Sequence, residues 1–215
     1  ELNSFWKIIP PNLTPVSNIV FNKFDVPDFD IIISCGRKSV IPSIYLKKNS
    51  KKKVFNIHIQ NPKVSLGNFD FVIAPEHDSL NGKNVITSKG AIHYLTLDEI
   101  KNNHSYLEEK LKKNKDYLLL VLGGPNKYYD YDDQDLINIF KKIELILKIN
   151  SLQAIIIPSM RTPKRTIDLV SEKIGKENLV IKSIDKKAYL SGLSLAKYIV
   201  VTCDSTSMIS EAAMT

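Results

Sequence analysis

Residues Lys112-Lys-Asn-Lys-Asp-Tyr-Leu-Leu-Leu-Val-Leu-Gly-Gly124 pass from a polar, aperiodic break into a continuously apolar run that stops at a glycine pair. The run Tyr117–Leu122 is too short for a helix and has no polar alternation, so it reads as a strand buried on both faces of a parallel sheet. Downstream the same rhythm continues. Helical spacing over 133–148 is followed by an apolar strand at 154–157, a helix at 164–174, a strand at 179–181, a helix at 187–196 and a strand at 198–202. Upstream lie strands at 30–34, 54–59, 69–74 and 84–87, a helix at 40–48, and an amphipathic stretch at 97–113. Strands alternating with helices predict an α/β fold with parallel sheets. The polar break and the restart at Tyr117 predict two domains, residues 1–114 and 115–215.

Composition bounds the function. The chain has 215 residues, 43% hydrophobic and 25% charged, as in an ordinary globular protein. No apolar run approaches the ~20 residues that span a bilayer, and no signal peptide is visible. Two cysteines, Cys35 and Cys203, make no disulfide framework and suit a reducing compartment, the cytoplasm. The net charge of +7 does not imply nucleic acid: only Arg37, Arg161 and Arg165 are arginines, and the lysines lie in solvated stretches without interleaved aromatics. The chain opens at Glu1 and stops at Thr215 inside a helical pattern, which reads as a fragment.

Open α/β sheets bind ligands at the C-terminal ends of their strands, and here those ends are polar. The first strand runs into Cys35-Gly36-Arg37-Lys38-Ser39, readable as a tight turn or as a ligand contact. Gly123-Gly124 would let a phosphate or sugar approach the main chain, although neither the dinucleotide nor the Walker pattern is present. In Ser159-Met-Arg-Thr-Pro163, Arg161 offers a planar fork for phosphate, and Thr162 reads as the cap of the next helix with Pro163 in its first turn. Glu76 and His77, with Asp78 adjacent, form a candidate proton-transfer pair, and His93 follows nearby. The histidines lack metal-ligand spacing, so no metal is expected; no cofactor is expected either.

The last turn, Thr202-Cys-Asp-Ser-Thr-Ser207, is the richest. It joins a strand to a short helix whose first amides lack internal partners and carry the positive dipole end. Ser205, Thr206 and Ser207 can add donors to a phosphate, and Glu211, about a turn and a half later, can accept from a ribose hydroxyl. A plain helix cap is the alternative.

The ordered blocks Gly36-Arg37, Gln60-Asn-Pro62, Phe69-Asp-Phe-Val-Ile-Ala-Pro-Glu-His-Asp78, Gly90-Ala-Ile-His93, Leu122-Gly-Gly124, Arg161-Thr-Pro163 and Val201-Thr-Cys-Asp-Ser-Thr-Ser-Met-Ile-Ser-Glu-Ala212 resemble the mitochondrial-fission, elongated-mitochondria family and its bacterial homologues over essentially the whole chain. Met160 stands where that family carries a second arginine. The resemblance implies a GT-B-like fold of two Rossmann-like parallel-sheet domains, truncated here at both ends: the first lacks its opening strand–turn unit, the second is incomplete at its C-terminus. It implies a nucleoside-diphosphate sugar as ligand and a metal-independent glycosyltransferase-type or related sugar-processing enzyme. Gly123, Gly124, Arg161, Thr162, Ser205, Thr206, Ser207 and Glu211 would hold the nucleotide. On the acceptor side would lie Gly36, Arg37, Glu76 and His93, with His77 as base and Asp78 orienting it. The alternative that the resemblance carries is a non-catalytic scaffold, peripheral to a membrane, that recruits a dynamin-related partner; fold alone does not decide.

Overall fold

The computed structural model describes residues 2–22 and 28–215. Two compact units follow one another along the chain, the first ending at Ile92 and the second beginning at His93.

The first unit is a four-stranded, fully parallel sheet of β1 (Ile31–Cys35), β2 (Phe55–Ile59), β3 (Phe71–Pro75) and β4 (Val85–Ser88), in that spatial order. Helix α1 (Val40–Asn49) buries Val40, Ile41 and Ile44 in a core with Leu2, Val20, Phe21, Phe69 and Val72. β2 alternates: Asn56 and His58 are fully buried while Ile57 between them is partly exposed. His58 Nδ1 lies 2.8 Å from Ser34 Oγ, and burial pulls the imidazole pKa from 6.5 down to about 4.

That burial makes the fold acid-sensitive. Between pH 6.5 and about 4 the unfolded chain binds a proton at His58 that the folded chain refuses. The contribution is therefore complete above pH 6.5 and declines as pH falls, by up to roughly 3 kcal/mol near pH 4. Denaturation midpoints of the first unit should drop through this window, and His58→Leu should flatten the slope. An unchanged slope in the variant would assign the acid sensitivity elsewhere.

The second unit contains α2 (Leu97–Asn102), β5 (Tyr117–Leu122), α3 (Asp133–Ile149), β6 (Gln153–Pro158), α4 (Lys164–Ile174), β7 (Leu179–Val180), α5 (Lys186–Leu195), β8 (Tyr198–Val201) and α6 (Thr206–Ala213). Its parallel sheet has the order β7-β6-β5-β8. Both faces are covered, as the unbroken apolar run of β5 predicts. Leu118, Leu120, Leu122, Ala154 and Ile156 pack on Phe140, Leu147 and Val170 of α3 and α4, while Leu119, Val121, Ile155 and Ile157 pack on Leu190 and Leu193 of α5.

The boundary therefore falls at residue 92, not at residue 114. Leu95, Ile100, Leu107 and Leu111 are buried in the same cluster as Leu119 and Leu193, so the stretch before the polar break belongs to the second core. Nor is that stretch one helix. α2 stops at Asn103, whose Nδ2 donates to the Glu99 carbonyl, and short 3-10 turns follow. Ser191 of α5 takes over two main-chain groups that a continuing helix would pair internally: its hydroxyl donates to the His104 carbonyl and accepts from the Leu107 amide. Among the described residues no helix is long and apolar enough to cross a membrane.

Candidate functional site

The C-terminal ends of β5, β6 and β8 converge on one carboxylate. Asp204, three residues past β8, has a fully buried side chain. Its Oδ1 accepts from the Tyr131 hydroxyl at 2.7 Å and the Thr202 hydroxyl at 2.6 Å. Its Oδ2 accepts from Arg161 Nη2 at 2.7 Å and the Gly124 amide at 3.2 Å. Burial raises the carboxyl pKa, but the bonds from Thr202, Tyr131 and the Gly124 amide outweigh it, and the group is held below the usual carboxylate range. Burial, with the Asp204 charge, pushes the Tyr131 hydroxyl up, so it stays a donor.

This arrangement explains the glycine pair. A Cβ on Gly123 would lie 1.9 Å from Asp204 Oδ1, and one on Gly124 would lie 1.9 Å from the Arg161 carbonyl oxygen. Only hydrogen fits at either position. The Gly123 amide donates to Thr202 Oγ1 at 2.7 Å, and Asn126 Nδ2 donates to the Asp204 carbonyl. Gly123 and Gly124 thus bring the main chain against the pinned carboxylate.

Arg161 is anchored through one end. Its Nη2 reaches both Asp204 Oδ2 and the Asp204 carbonyl, while 43% of the side chain stays exposed. Thr162 does not cap α4: Pro163 occupies the cap position. The Thr162 hydroxyl instead donates to the Leu122 carbonyl at 2.7 Å and accepts from the Ser159 amide, stitching the ends of β5 and β6 together. Ser205 is the N-cap of α6, accepting from the Met208 amide at 3.5 Å, and Thr206 and Ser207 are exposed in its first turn.

Beside this turn is a cavity of about 200 Å³ walled by Val121, Ile157, Ser159, Tyr189, Met208 and Glu211 among others. Glu211 Oε2 accepts from the Tyr189 hydroxyl at 2.9 Å. Burial first, and then the Glu211 charge, raises the Tyr189 pKa, which keeps the phenol protonated.

The first unit holds the remaining candidates. Gly36 has φ +79°, a turn conformation that favours glycine, and its amide bonds to the Ile59 carbonyl. Arg37 Nη2 donates to the Lys7 carbonyl at 3.1 Å. Glu76, His77 and Asp78 form a 3-10 turn after β3, with His77 exposed. Among the described residues His77 makes no hydrogen bond with Glu76 or Asp78, so the expected orienting contact is not formed. His93 belongs to the second unit, not the first, and its buried Nδ1 has no partner among the described residues. Among those residues no group of three His, Cys, Asp or Glu side chains converges as a metal site.

Asp204, Tyr131 and Tyr189 escaped the sequence reading as site residues. Asp204 sits among hydroxyl residues that look like caps, and the tyrosines come from distant segments. One signal was present: an aspartate at a strand end in a chain with three arginines, one of them at a neighbouring strand end.

Among solved structures, UDP-GlcNAc 2-epimerase from Methanocaldococcus jannaschii is similar, with TM-score 0.58 and 15% identity, over 86% of this chain and 58% of that one. So is a putative UDP-N-acetylglucosamine 2-epimerase from Listeria monocytogenes, with TM-score 0.55 and 10% identity, over 85% of this chain and 54% of that one. These likenesses show the fold: two Rossmann-like parallel-sheet units of the GT-B type. Among curated proteins, an uncharacterised protein of Rickettsia prowazekii is 28% identical over 86% of this chain and 62% of its own length. A protein of Arabidopsis thaliana named mitochondrial fission protein ELM1 is 23% identical over 97% of this chain and 55% of its own length. The chain thus spans 55–62% of the length of these two relatives. The model described as mitochondrial fission ELM1 matches residues 1–215, so this chain, with its paired parallel sheets and its pinned strand-end turn, belongs to the mitochondrial fission ELM1 family.

Proposed function

We propose that the second unit binds a nucleoside-diphosphate sugar at the ends of β5, β6 and β8, and that the protein is a metal-independent, glycosyltransferase-type enzyme. The observation that carries this is Arg161: a buried carboxylate fixes one edge of a guanidinium that is otherwise exposed, beside the first turn of α6. A cation held in place before the ligand arrives stabilises a developing diphosphate charge without reorganising. In this reading the α6 amides, Thr206 and Ser207 complete the phosphate contacts, and the Gly123-Gly124 turn gives the main chain close approach. The nucleoside enters the adjoining cavity, where Glu211 accepts from the ribose through the oxygen not occupied by Tyr189. The first unit would take the acceptor, with Gly36, Arg37 and Glu76 on that side, and His77 as base once Asp78 turns to orient it; His93, in the second unit, drops out of that set.

A second reading is a non-catalytic scaffold that recruits a dynamin-related partner at a membrane surface. It is favoured by one observation: His77 stands exposed and unoriented.

Calorimetry of the full chain against a panel of nucleotide sugars separates them. Binding should survive EDTA. Arg161→Ala should weaken it by about one to two orders of magnitude, since a charge-assisted hydrogen bond contributes roughly 1.5–3 kcal/mol. Melting temperature serves as the folding control, because the variant also strips a partner from Asp204. A folded protein that binds no nucleotide sugar would leave the scaffold reading.

A further inference from the structure

Tyr94 falls in the first domain by its sequence position, within residues 1–114. The structure places it in the second unit, on the wall of the cavity that also holds Tyr189 and Glu211. The residue is 73% exposed, yet its position is set from several sides. The next residue, Leu95, is buried in the second core. Thr96 then caps α2, accepting from the Glu99 amide at 3.1 Å. Lys186 Nζ sits 4.9 Å from the ring centroid and is itself tied to Glu99 Oε1 at 2.6 Å. An exposed aromatic ring held by a cation, a cap and a core anchor, at the edge of a cavity, is the arrangement of a stacking platform rather than of a mobile surface tyrosine.

We propose that Tyr94 is the aromatic wall against which the base of a bound nucleoside diphosphate stacks, so that the residue just before α2 sets base affinity. This rests on the nucleotide reading of the same site. It also assigns a division of labour. Arg161 and the α6 turn act on the diphosphate. Tyr94 acts on the base alone, and Lys186, neutralised by Glu99, positions the ring rather than binding phosphate.

The test is calorimetry of the full chain with UDP, ADP, GDP and CDP, and with inorganic pyrophosphate as the probe that lacks a base. Tyr94→Ala should weaken the nucleoside diphosphates by about 5- to 150-fold, the range of base–aromatic stacking measured by alanine substitution. It should leave pyrophosphate unchanged. Tyr94→Phe should restore wild-type affinity, since the ring and not the hydroxyl does the stacking. Arg161→Ala should weaken both ligand types. Wild-type nucleoside-diphosphate affinity in Tyr94→Ala would overturn this inference alone. So would a loss shared equally by pyrophosphate, which would make Tyr94 a support for a phosphate-binding Lys186. A wild-type chain that binds no nucleoside diphosphate would overturn the nucleotide reading with it.

Discussion

Asp204→Ala should cost roughly 3–5 kcal/mol and unpin the strand ends of the second unit, the scale expected when one member of a buried, hydrogen-bonded charge cluster is removed. The substitution leaves the Tyr131 and Thr202 hydroxyls and the Gly124 amide without their carboxylate acceptor, and Arg161 keeps only the Asp204 carbonyl. Each stranded donor costs about 1–3 kcal/mol unless water reaches it. Asp204→Asn is the informative companion. It keeps the shape but turns one oxygen into a donor that faces donors, so it should lose roughly half as much. Urea denaturation followed by a probe in the second unit measures both. If Asp204→Ala were as stable as wild type, the carboxylate would not be holding the strand ends together.

Gly124→Ala should be nearly as damaging, by a different route. The added methyl would lie 1.9 Å from the Arg161 carbonyl oxygen and 2.4 Å from its carbon. Main-chain atoms cannot rotate away as a side chain does, so the ends of β5 and β6 must separate, and the Ser159 amide and Thr162 hydroxyl lose their shared grip on the Leu122 carbonyl. Overpacking usually costs about 1–3 kcal/mol, and a backbone obstacle belongs at or above the top of that range. Gly67→Ala is the control, because its nearest neighbour, Ser65 Oγ, would be 3.8 Å away. Gly192→Ala should fall between, since it meets only side-chain tips, Leu119 at 2.9 Å and Ile157 at 3.1 Å. Melting temperatures in the order Gly67→Ala, Gly192→Ala, Gly124→Ala from highest to lowest would support the account; Gly124→Ala melting with the control would refute it.

The fold was legible where one physical cause dominated. Runs such as Leu118–Leu122 and Ala154–Ile157 are apolar on both sides because helices cover both faces of the sheet, and that pattern survives without tertiary information. A helix cap in the Thr202–Ser207 turn was legible as an alternative because capping is local, and the structure places it at Ser205. The domain boundary was not. Apolar spacing at Leu95, Ile100, Leu107 and Leu111 says that one face is buried but not against which core. Thr162 misled for a similar reason: its hydroxyl had a local use as a cap and a distant one at Leu122, and the distant bond prevails. Asp204 was read with the hydroxyl residues around it, and only the folded chain brings Tyr131 and Arg161 to its oxygens.

The pinned turn also bears on the order of assembly. Gly124 and Asp204 are separated by 80 residues, and Arg161 and Asp204 by 43, so each closure carries the entropy of a long loop. Neither glycine has a local partner that could form early. Pairing of β5 with β6 can precede this step, but the turn gains its acceptor only when β8 is laid alongside β5. During synthesis, a ribosome-bound chain that has not yet emerged as far as Asp204 carries a glycine corner with nothing to close on. The hydrophobic strand–helix units, whose contacts are more local, can therefore form before the polar edge, which only long-range contacts complete.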